Sequence, residues 1–276
     1  MTKKKNKSMI QRRLIPTYVF LIIVSFVSVF PFYWMVSAAT NQSIDVARGR
    51  IIPGTYALTN FQNLISSQNL GGAMANSFRY TILQTVLALF VCSLAGFGFE
   101  LYHDKAKDVL FTILLLAMMI PQVATMIPLF KMMSNAGLLN SMWGFVLPTI
   151  STPFLVMFFR QNSRSFPLDT MEAARIDGLS EFGIFIRMYM PMMRSTYAAA
   201  AVITFMNAWN AYLWPKVVLT QSDAQTMPML IANLSSGYTI DYGRLMMGVL
   251  FCSIPTMVVF FVLQKQFAEG LTGAVK

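Results

Sequence analysis

Charge is scarce in this 276-residue chain. Only 12% of its residues are Asp, Glu, Lys or Arg, whereas an average soluble protein carries about 25%. The hydrophobic share is 56% and the mean hydropathy is +0.57. This composition excludes an ordinary soluble domain and indicates an integral membrane protein.

Residue types that carry chemistry are scarce as well. The one histidine, His103, lies beside Asp104 and Lys105 in a short polar segment, and we expect it to be a solvated loop residue. The two cysteines, Cys92 and Cys252, fall in apolar segments without CxxC or metal-binding spacing, so we expect small buried hydrophobic residues. Because His, Cys and acidic residues do not cluster, the sequence predicts no catalytic residue and no metal site.

Two further absences concern energy coupling. The chain has no G-x-x-x-x-G-K-[ST] phosphate loop, so it is not expected to bind and hydrolyse ATP by that mechanism. No ionisable side chain lies in the middle of an apolar segment, whereas ion-coupled carriers usually need one. An ion-coupled secondary transporter that acts without an ATPase is therefore the alternative rather than the preferred interpretation.

Six apolar segments are long enough to cross a bilayer, since about 20 mainly apolar residues span its hydrocarbon core. The sequence therefore predicts an all-α integral membrane protein with six transmembrane helices. The first apolar run is long and lacks a small-residue cleavage site, so we expect a retained span. The predicted spans are Ile15–Val36, Ser77–Phe99, Val109–Lys131, Met142–Phe159, Thr196–Leu219 and Leu245–Gln264.

Basic residues set the orientation. The formal net charge is +10, but the basic residues lie in the loops rather than along one face of a soluble domain, which argues against nucleic-acid binding. Residues 1–14 form a basic N-terminus that should stay in the cytoplasm, followed by a membrane domain at residues 15–276. With both termini cytoplasmic, fifteen of the twenty-one Lys and Arg residues fall on the inner side.

A charged stretch between the fourth and fifth predicted spans has the features of two short, capped helices. Asp169 and Glu172 have the spacing of a capping box, and Gly178 is expected to end the first helix in the left-handed conformation. Ser180 can cap the second helix, with Glu181 in its first turn, and Pro191 is expected to stop it. Composition alone would also allow an amphipathic helix pair lying on the membrane surface.

The order of residues in this stretch resembles a known family. Residues 172–191, with Glu-Ala-Ala, a glycine six residues after Glu172 and a Met-Pro ending, are similar to the EAA loop of ATP-binding-cassette importer permeases. Residues 30–35, 207–215 and 264–276 resemble the carbohydrate-uptake branch that includes the G-type subunit of the maltose permease. The tail departs from the common pattern because one residue is missing after Thr272.

The resemblance implies a function for the loop. A coupling loop at about residues 161–195, between helices 4 and 5, would dock on a separate ATPase subunit and be moved by it. The matching positions are Glu172, Ala173, Ala174, Asp177 and Gly178. The implied function is a permease subunit, not an enzyme, of a binding-protein-dependent importer of an oligosaccharide or related carbohydrate.

The resemblance also implies partners. They are a second, non-identical permease subunit, two ATPase subunits and an extracytoplasmic sugar-binding protein, in the lipid of a bacterial cytoplasmic membrane. No cofactor is expected on this chain, because ATP and Mg²⁺ would be used by the ATPase. The outer segments, residues 37–76 and 220–244, are either a surface for the binding protein or plain linkers.

Candidates for the substrate path lie in the fifth predicted span. Amides bind sugar hydroxyls, and aromatic rings lie against the C–H-rich faces of sugars. A second interpretation stays open, in which these side chains only pack and mark the outer membrane boundary. The candidates are Asn207, Trp209, Asn210 and Tyr212.

Overall fold

The structure is a computed structural model that describes the backbone of residues 2–102 and 104–272 and the side chains of residues 15–102 and 104–265. The side chains of the predicted basic N-terminus at residues 1–14, His103 and the tail side chains after Lys265 lie outside this description. Every regular element in the described backbone is helical, which confirms the all-α prediction.

The α-helices are numbered here in chain order. Three further helical turns are a 3₁₀ turn at Leu147–Thr149, a π-helical turn at Phe185–Tyr189 and a 3₁₀ turn at Ser222–Ala224. The α-helices are α1 Thr2–Ala39, α2 Ser43–Ala47, α3 Ala57–Ser67, α4 Leu70–Leu101, α5 Lys105–Ala117, α6 Gln122–Asn135, α7 Met142–Val146, α8 Pro153–Ser163, α9 Leu168–Ile176, α10 Glu181–Ile184, α11 Met190–Met192, α12 Arg194–Trp209, α13 Leu213–Val218, α14 Met227–Ser235 and α15 Tyr242–Thr272.

Among the described residues, three helical stretches are long and apolar enough to cross a membrane. They are Ile15–Ala39, Leu70–Leu101 and Tyr242–Lys265, with mean hydropathies of 2.3, 2.0 and 2.3 in their most apolar windows. About 20 apolar residues suffice for a span, so each has the required length. These stretches contain most of the first, second and sixth predicted spans.

Two other predicted spans are bent pairs of helices rather than single helices. The chain turns by 103° between α5 and α6, and by 49° between the Met142–Thr149 helical stretch and α8. Pro121 and Pro153 follow the two breaks, at the starts of α6 and α8. Proline has no N–H for the helix ladder and disfavours helical geometry in the preceding residue, so each helix restarts there. With both pairs counted as spans, the described residues contain up to five.

The fifth predicted span, Thr196–Leu219, is divided as well. Helix α12 has sixteen residues and ends at Trp209, and α13 begins at Leu213. Pro215 explains the gap, because its ring would clash with the carbonyl of Ala211 in a continuous helix. The side-chain nitrogen Nδ2 of Asn210 donates to the carbonyl oxygen of Met206 at 2.8 Å, at the end of α12. The total of six spans therefore stays a prediction.

The chain forms two compact units. The first contains Met1–Gln68 and Asn233–Phe251, and the second contains Asn69–Ala232 and Cys252–Lys276. In the first unit, Asn60 donates to the carbonyl oxygens of Ala39 and Asn41 at 2.8 and 2.9 Å. A Cβ atom on Gly243 would lie 2.6 Å from the Asn41 carbonyl oxygen, so only glycine allows this close approach.

Helix α4 is the centre of the second unit and packs against α8 and α12. The contact is closest at Gly96, where an added Cβ atom would lie 2.6 Å from the Cβ atom of Phe159. Cys92 and Cys252 are free and buried, which confirms their prediction as small buried residues. The coupling-loop and substrate-path candidates all belong to this unit.

Candidate coupling site

The charged stretch folds as two helices joined by a tight turn, but the first helix begins earlier than predicted. Pro167 is the N-cap of α9 and makes no side-chain capping bond. Asp169 lies inside the first turn of α9, so the predicted capping box with Glu172 was wrong. Pro167 starts the helix because its fixed φ angle suits that position. The Asp169 carboxylate still favours the positive end of the helix dipole.

The turn after α9 depends on Gly178, whose φ angle is +81°. The N–H groups of Gly178 and Leu179 donate to the carbonyl oxygens of Arg175 and Ala174, both at 3.0 Å. This pair of bonds is a Schellman motif. Its left-handed residue is usually glycine, because a residue with a side chain has a higher conformational free energy in that conformation. The prediction that Gly178 ends the first helix in the left-handed conformation is confirmed.

The second helix begins as the sequence indicates. The Ser180 side chain accepts a hydrogen bond from the N–H of Gly183 at 3.2 Å, and Glu181 lies in the first turn. Glu181 also contacts two residues outside its helix. Arg175 Nε donates to Glu181 Oε1 at 2.8 Å, and the Tyr102 hydroxyl donates to Glu181 Oε2. These hydrogen bonds, that of Arg175 first, lower the pKa of the Glu181 carboxyl.

Pro191 does not stop the second helix, contrary to the prediction. The chain passes from α10 through the π-helical turn Phe185–Tyr189 into α11, where Pro191 takes an N-terminal position. A π turn shifts the hydrogen-bond register by one residue and often accommodates a residue that cannot donate. Helical structure therefore continues almost to the start of α12.

The inner side of the loop rests on a buried set of aromatic and aliphatic side chains, called here the loop-base cluster. Phe97 of α4 packs against Phe185 and Tyr189 at ring distances of 5.3 and 4.9 Å. The Tyr189 hydroxyl and the Ser163 hydroxyl are 2.7 Å apart, and burial raises the pKa of Tyr189. The loop is thus packed directly on α4 and on the end of α8. The cluster consists of Phe97, Phe166, Met171, Ala174, Ile184, Phe185, Tyr189 and Met193.

The outer side of the loop is open to solvent. Of the predicted coupling residues, Ala174 is buried, whereas Glu172, Ala173, Asp177 and Gly178 are exposed. A groove of about 380 Å³ runs beside α9, lined mainly by residues of α9 and the following turn. This arrangement presents a small, acidic surface to whatever lies on that side.

Two exposed apolar side chains were missed by the sequence analysis. Ile176 is 87% exposed and Phe182 is 57% exposed, on either side of the Gly178 turn. They add exposed apolar surface to an otherwise charged loop. Helical spacing could have indicated this exposure. Ile176 does not lie on the same face of α9 as Met171 and Ala174, which are buried.

A buried arginine at the end of α8 was missed as well. Arg160 is only 9% exposed and forms ion pairs with Glu100 at 3.2 Å and Asp108 at 3.0 Å. Its guanidinium lies 4.1 Å from the centre of the Phe111 ring. These contacts tie the ends of α4, α5 and α8 together. Alternation of acids and bases at the ends of apolar segments was the only hint in the sequence.

The substrate-path candidates are divided by the structure. Asn207, Asn210 and Tyr212 are exposed, so their polar groups are accessible from outside this chain. Trp209 is only 1% exposed; its indole N–H donates to the Cys252 carbonyl oxygen at 3.0 Å, and its ring stacks on Phe205. Its burial supports the packing interpretation for Trp209, and the other three remain candidates.

Comparison with known proteins identifies the family of the chain. Residues 92–273 match the family described as "Binding-protein-dependent transport system inner membrane component". The chain is 42% identical to the lactose transport system permease protein LacG of Rhizobium radiobacter, over 97% of this chain and 98% of that protein. It is 33% identical to the arabinooligosaccharides transport system permease protein AraQ of Bacillus subtilis (strain 168), over 93% and 94%.

The fold also matches a solved structure. A chain in the crystal structure of a bacterial ABC transporter involved in the import of the acidic polysaccharide alginate superposes with a TM-score of 0.81 and 20% identity. The match covers 92% of this chain and 96% of that one. Since the family model covers more than half of the chain, the chain belongs to the family of binding-protein-dependent transport system inner membrane components.

Proposed function

We propose that this chain is a membrane-spanning permease subunit of an ATP-driven, binding-protein-dependent sugar importer. The observation that carries the proposal is the capped loop from α9 to α11, with a small acidic outer face and an inner face packed on α4 and α8. A loop built in this way can transmit a displacement of a partner subunit to the membrane helices. The family membership supplies the class of partner.

The chain itself supplies no chemistry in this scheme. Its sequence lacks the phosphate-binding loop of ATPases, so ATP and Mg²⁺ belong to two separate ATPase subunits. A second, non-identical permease would complete the path through the membrane, and an external sugar-binding protein would deliver the substrate. Hydrolysis drives a change between inward-facing and outward-facing arrangements, a transition of the hinge or rigid-body type.

The proposed topology has six spans and both termini in the cytoplasm. The excess of basic residues in the alternate loops supports it. The fifth span would consist of α12, the break at residues 210–212 and α13. Interrupted helices are tolerated inside membranes where they are buried in protein or line a cavity. The break brings Asn210 and Tyr212 to the surface of this chain, so it suits a substrate path.

The substrate class is a carbohydrate or a related polyol. Relatives are named for lactose, for arabinooligosaccharides and, in Escherichia coli (strain K12), for sn-glycerol-3-phosphate. Asn207, Asn210 and Tyr212 are the residues of this chain proposed to meet the sugar. Substituting each by alanine should alter the concentration dependence of uptake while leaving docking of the ATPase intact.

A matched pair of glycine substitutions tests the coupling loop. Gly137 ends α6 with a φ angle of +68° and the same two hydrogen bonds as the Gly178 turn, and both glycines have open space around them. Valine costs about 1–3 kcal/mol of backbone strain at either position. We expect similar losses of thermal stability, but loss of sugar uptake only for Gly178→Val. Equal uptake by the two variants would contradict the coupling role.

Charge reversal and purification complete the test. Glu172→Lys should leave the protein in the membrane and abolish uptake, because it reverses the charge of the proposed docking face. Gentle purification from native membranes should recover a second permease and an ATPase with this chain. Recovery of the chain alone, with sugar transport in liposomes lacking ATP, would instead support an ion-coupled carrier.

A further inference from the structure

Three side chains join the coupling loop to the end of α4 in a cluster called here the loop clasp: Tyr102, Arg175 and Glu181. Arg175 and Glu181 lie on opposite sides of the Gly178 turn. Two nitrogens of Arg175 reach the two carboxylate oxygens, with Nε–Oε1 at 2.8 Å and a second contact at 3.3 Å. A two-point contact of this kind fixes the relative direction of the two groups as well as their distance.

Tyr102 connects this ion pair to a membrane helix. It is the first residue after α4, its ring lies 5.6 Å from the ring of Phe97, and its hydroxyl donates to Glu181. The guanidinium of Arg175 lies 5.7 Å from the centre of the Tyr102 ring. Burial and the bond to Glu181 raise the pKa of Tyr102, so its hydroxyl keeps its proton and remains a donor at neutral pH.

The position of the loop clasp suggests its role. The Gly178 turn is the point where α9 and α10 can swing most easily, because glycine restricts the backbone least. The loop-base cluster beneath it holds the helices by apolar packing, which has little directional preference. The loop clasp spans the turn and adds directional bonds. Exposed ion pairs contribute little to folding stability, so the fold does not depend on it.

We propose that Tyr102, Arg175 and Glu181 are positioning residues that fix the angle between α9 and α10 and bind both to α4, so that displacement of the coupling helix reaches the membrane domain. This inference rests on the function proposed above and identifies residues outside the Glu-Ala-Ala and glycine positions. Without the loop clasp, the Gly178 turn absorbs part of the displacement. ATP hydrolysis then continues with less sugar moved.

The test measures the number of sugar molecules transported per ATP hydrolysed by the complete importer in liposomes. Tyr102→Phe removes one hydroxyl, and Glu181→Gln removes the charge while keeping the shape of the side chain. We expect a fall in the ratio of up to roughly fivefold for Glu181→Gln, as for the loss of one exposed ion pair, and a smaller fall for Tyr102→Phe. Glu181→Asp should restore part of the ratio.

Two comparisons separate positioning from other roles. The Arg50–Asp45 pair is an exposed ion pair of similar length, 3.0 Å, so Asp45→Asn serves as the matched control and should leave the ratio unchanged. In a double-mutant cycle, Arg175→Ala and Glu181→Ala together should lower the ratio no further than Glu181→Ala alone, because that change already breaks the pair with Arg175.

Three outcomes overturn parts of the scheme in different ways. An unchanged ratio in Glu181→Gln refutes the positioning role. Loss of the ATPase from purified variant complexes also refutes it, because these side chains would then be docking contacts. Absence of ATP-dependent transport by the unsubstituted importer would instead refute the proposed function itself.

Discussion

Helix α4 approaches α8 most closely at Gly96, and this contact allows a sharp test of the helix packing. A Cβ atom on Gly96 would lie 2.6 Å from Phe159 Cβ, 2.7 Å from the Arg160 backbone nitrogen and 2.9 Å from the Phe159 carbonyl carbon. Two of these atoms belong to the backbone of α8. Relief therefore requires the two helices to move apart. Gly98, two residues further along α4, has no atom within 4 Å of its added Cβ.

The expected change in the free energy of unfolding follows from two opposing effects. Replacing glycine by alanine in a helix gains up to about 1 kcal/mol from backbone preference. Overpacking a tight site costs about 1–3 kcal/mol, and the backbone contacts at Gly96 place it at the upper end. We expect Gly96→Ala to be destabilised by about 1–2 kcal/mol net, and Gly98→Ala to be unchanged or up to about 1 kcal/mol more stable.

Thermal unfolding of the detergent-solubilised variants measures this difference. For a chain of this size, 1 kcal/mol corresponds to roughly 2–4 °C in the unfolding midpoint. Gly96→Ala should therefore unfold several degrees below Gly98→Ala, with a lower yield of monodisperse protein. If the two variants unfold at the same temperature, the close crossing of α4 and α8 at Gly96 is incorrect.

Three further predictions concern single side chains. Ser163→Ala should destabilise the protein more than Tyr189→Phe, about 1–3 against about 1 kcal/mol, because only the first leaves a buried donor unpaired; calorimetry of both variants measures the difference. Because the pKa of Glu181 lies below its usual 4.5, its ion pair should be fully present above that pH and be lost in more acidic solution; intrinsic-rate-corrected hydrogen exchange of residues 179–184 should stay constant from pH 7 to 5 and rise below. Trp209→Phe, which removes the N–H bonded to Cys252, should lower the unfolding temperature but leave the sugar profile unchanged in competition uptake assays.

The helix cap and the left-handed turn of the loop could be predicted from the sequence. Gly178 and Ser180 adopt the expected conformations because a left-handed turn and an N-cap depend on neighbouring atoms only. The capping box at Asp169 failed for a local reason too, since Pro167 begins the helix two residues earlier. Competing start signals for one helix cannot be ranked reliably from residue types alone.

Features that depend on distant contacts were not predictable. Burial of Trp209 depends on Phe78, Phe205 and the carbonyl of Cys252, which come from three helices. A tryptophan at the outer membrane boundary would give the same sequence pattern, so the sequence alone could not distinguish the two positions. Arg160 was likewise expected to be a loop charge, but Glu100 and Asp108 neutralise it at the ends of α4 and α5.

The proposed coupling site and the α4–α8 contact lie next to each other, which would make them parts of one mechanical path. Beneath the loop, Tyr189 is hydrogen-bonded to Ser163 at the last residue of α8, and its ring packs on Phe97 of α4. One helical turn or less from these residues, Gly96 and Phe159 hold the two helices at a spacing too small for a methyl group. A displacement of α9 would reach both helices through the loop-base cluster, and at Gly96 they have no room to move closer together. Gly96→Ala, which separates this pair, should for that reason lower transport per ATP as well as stability.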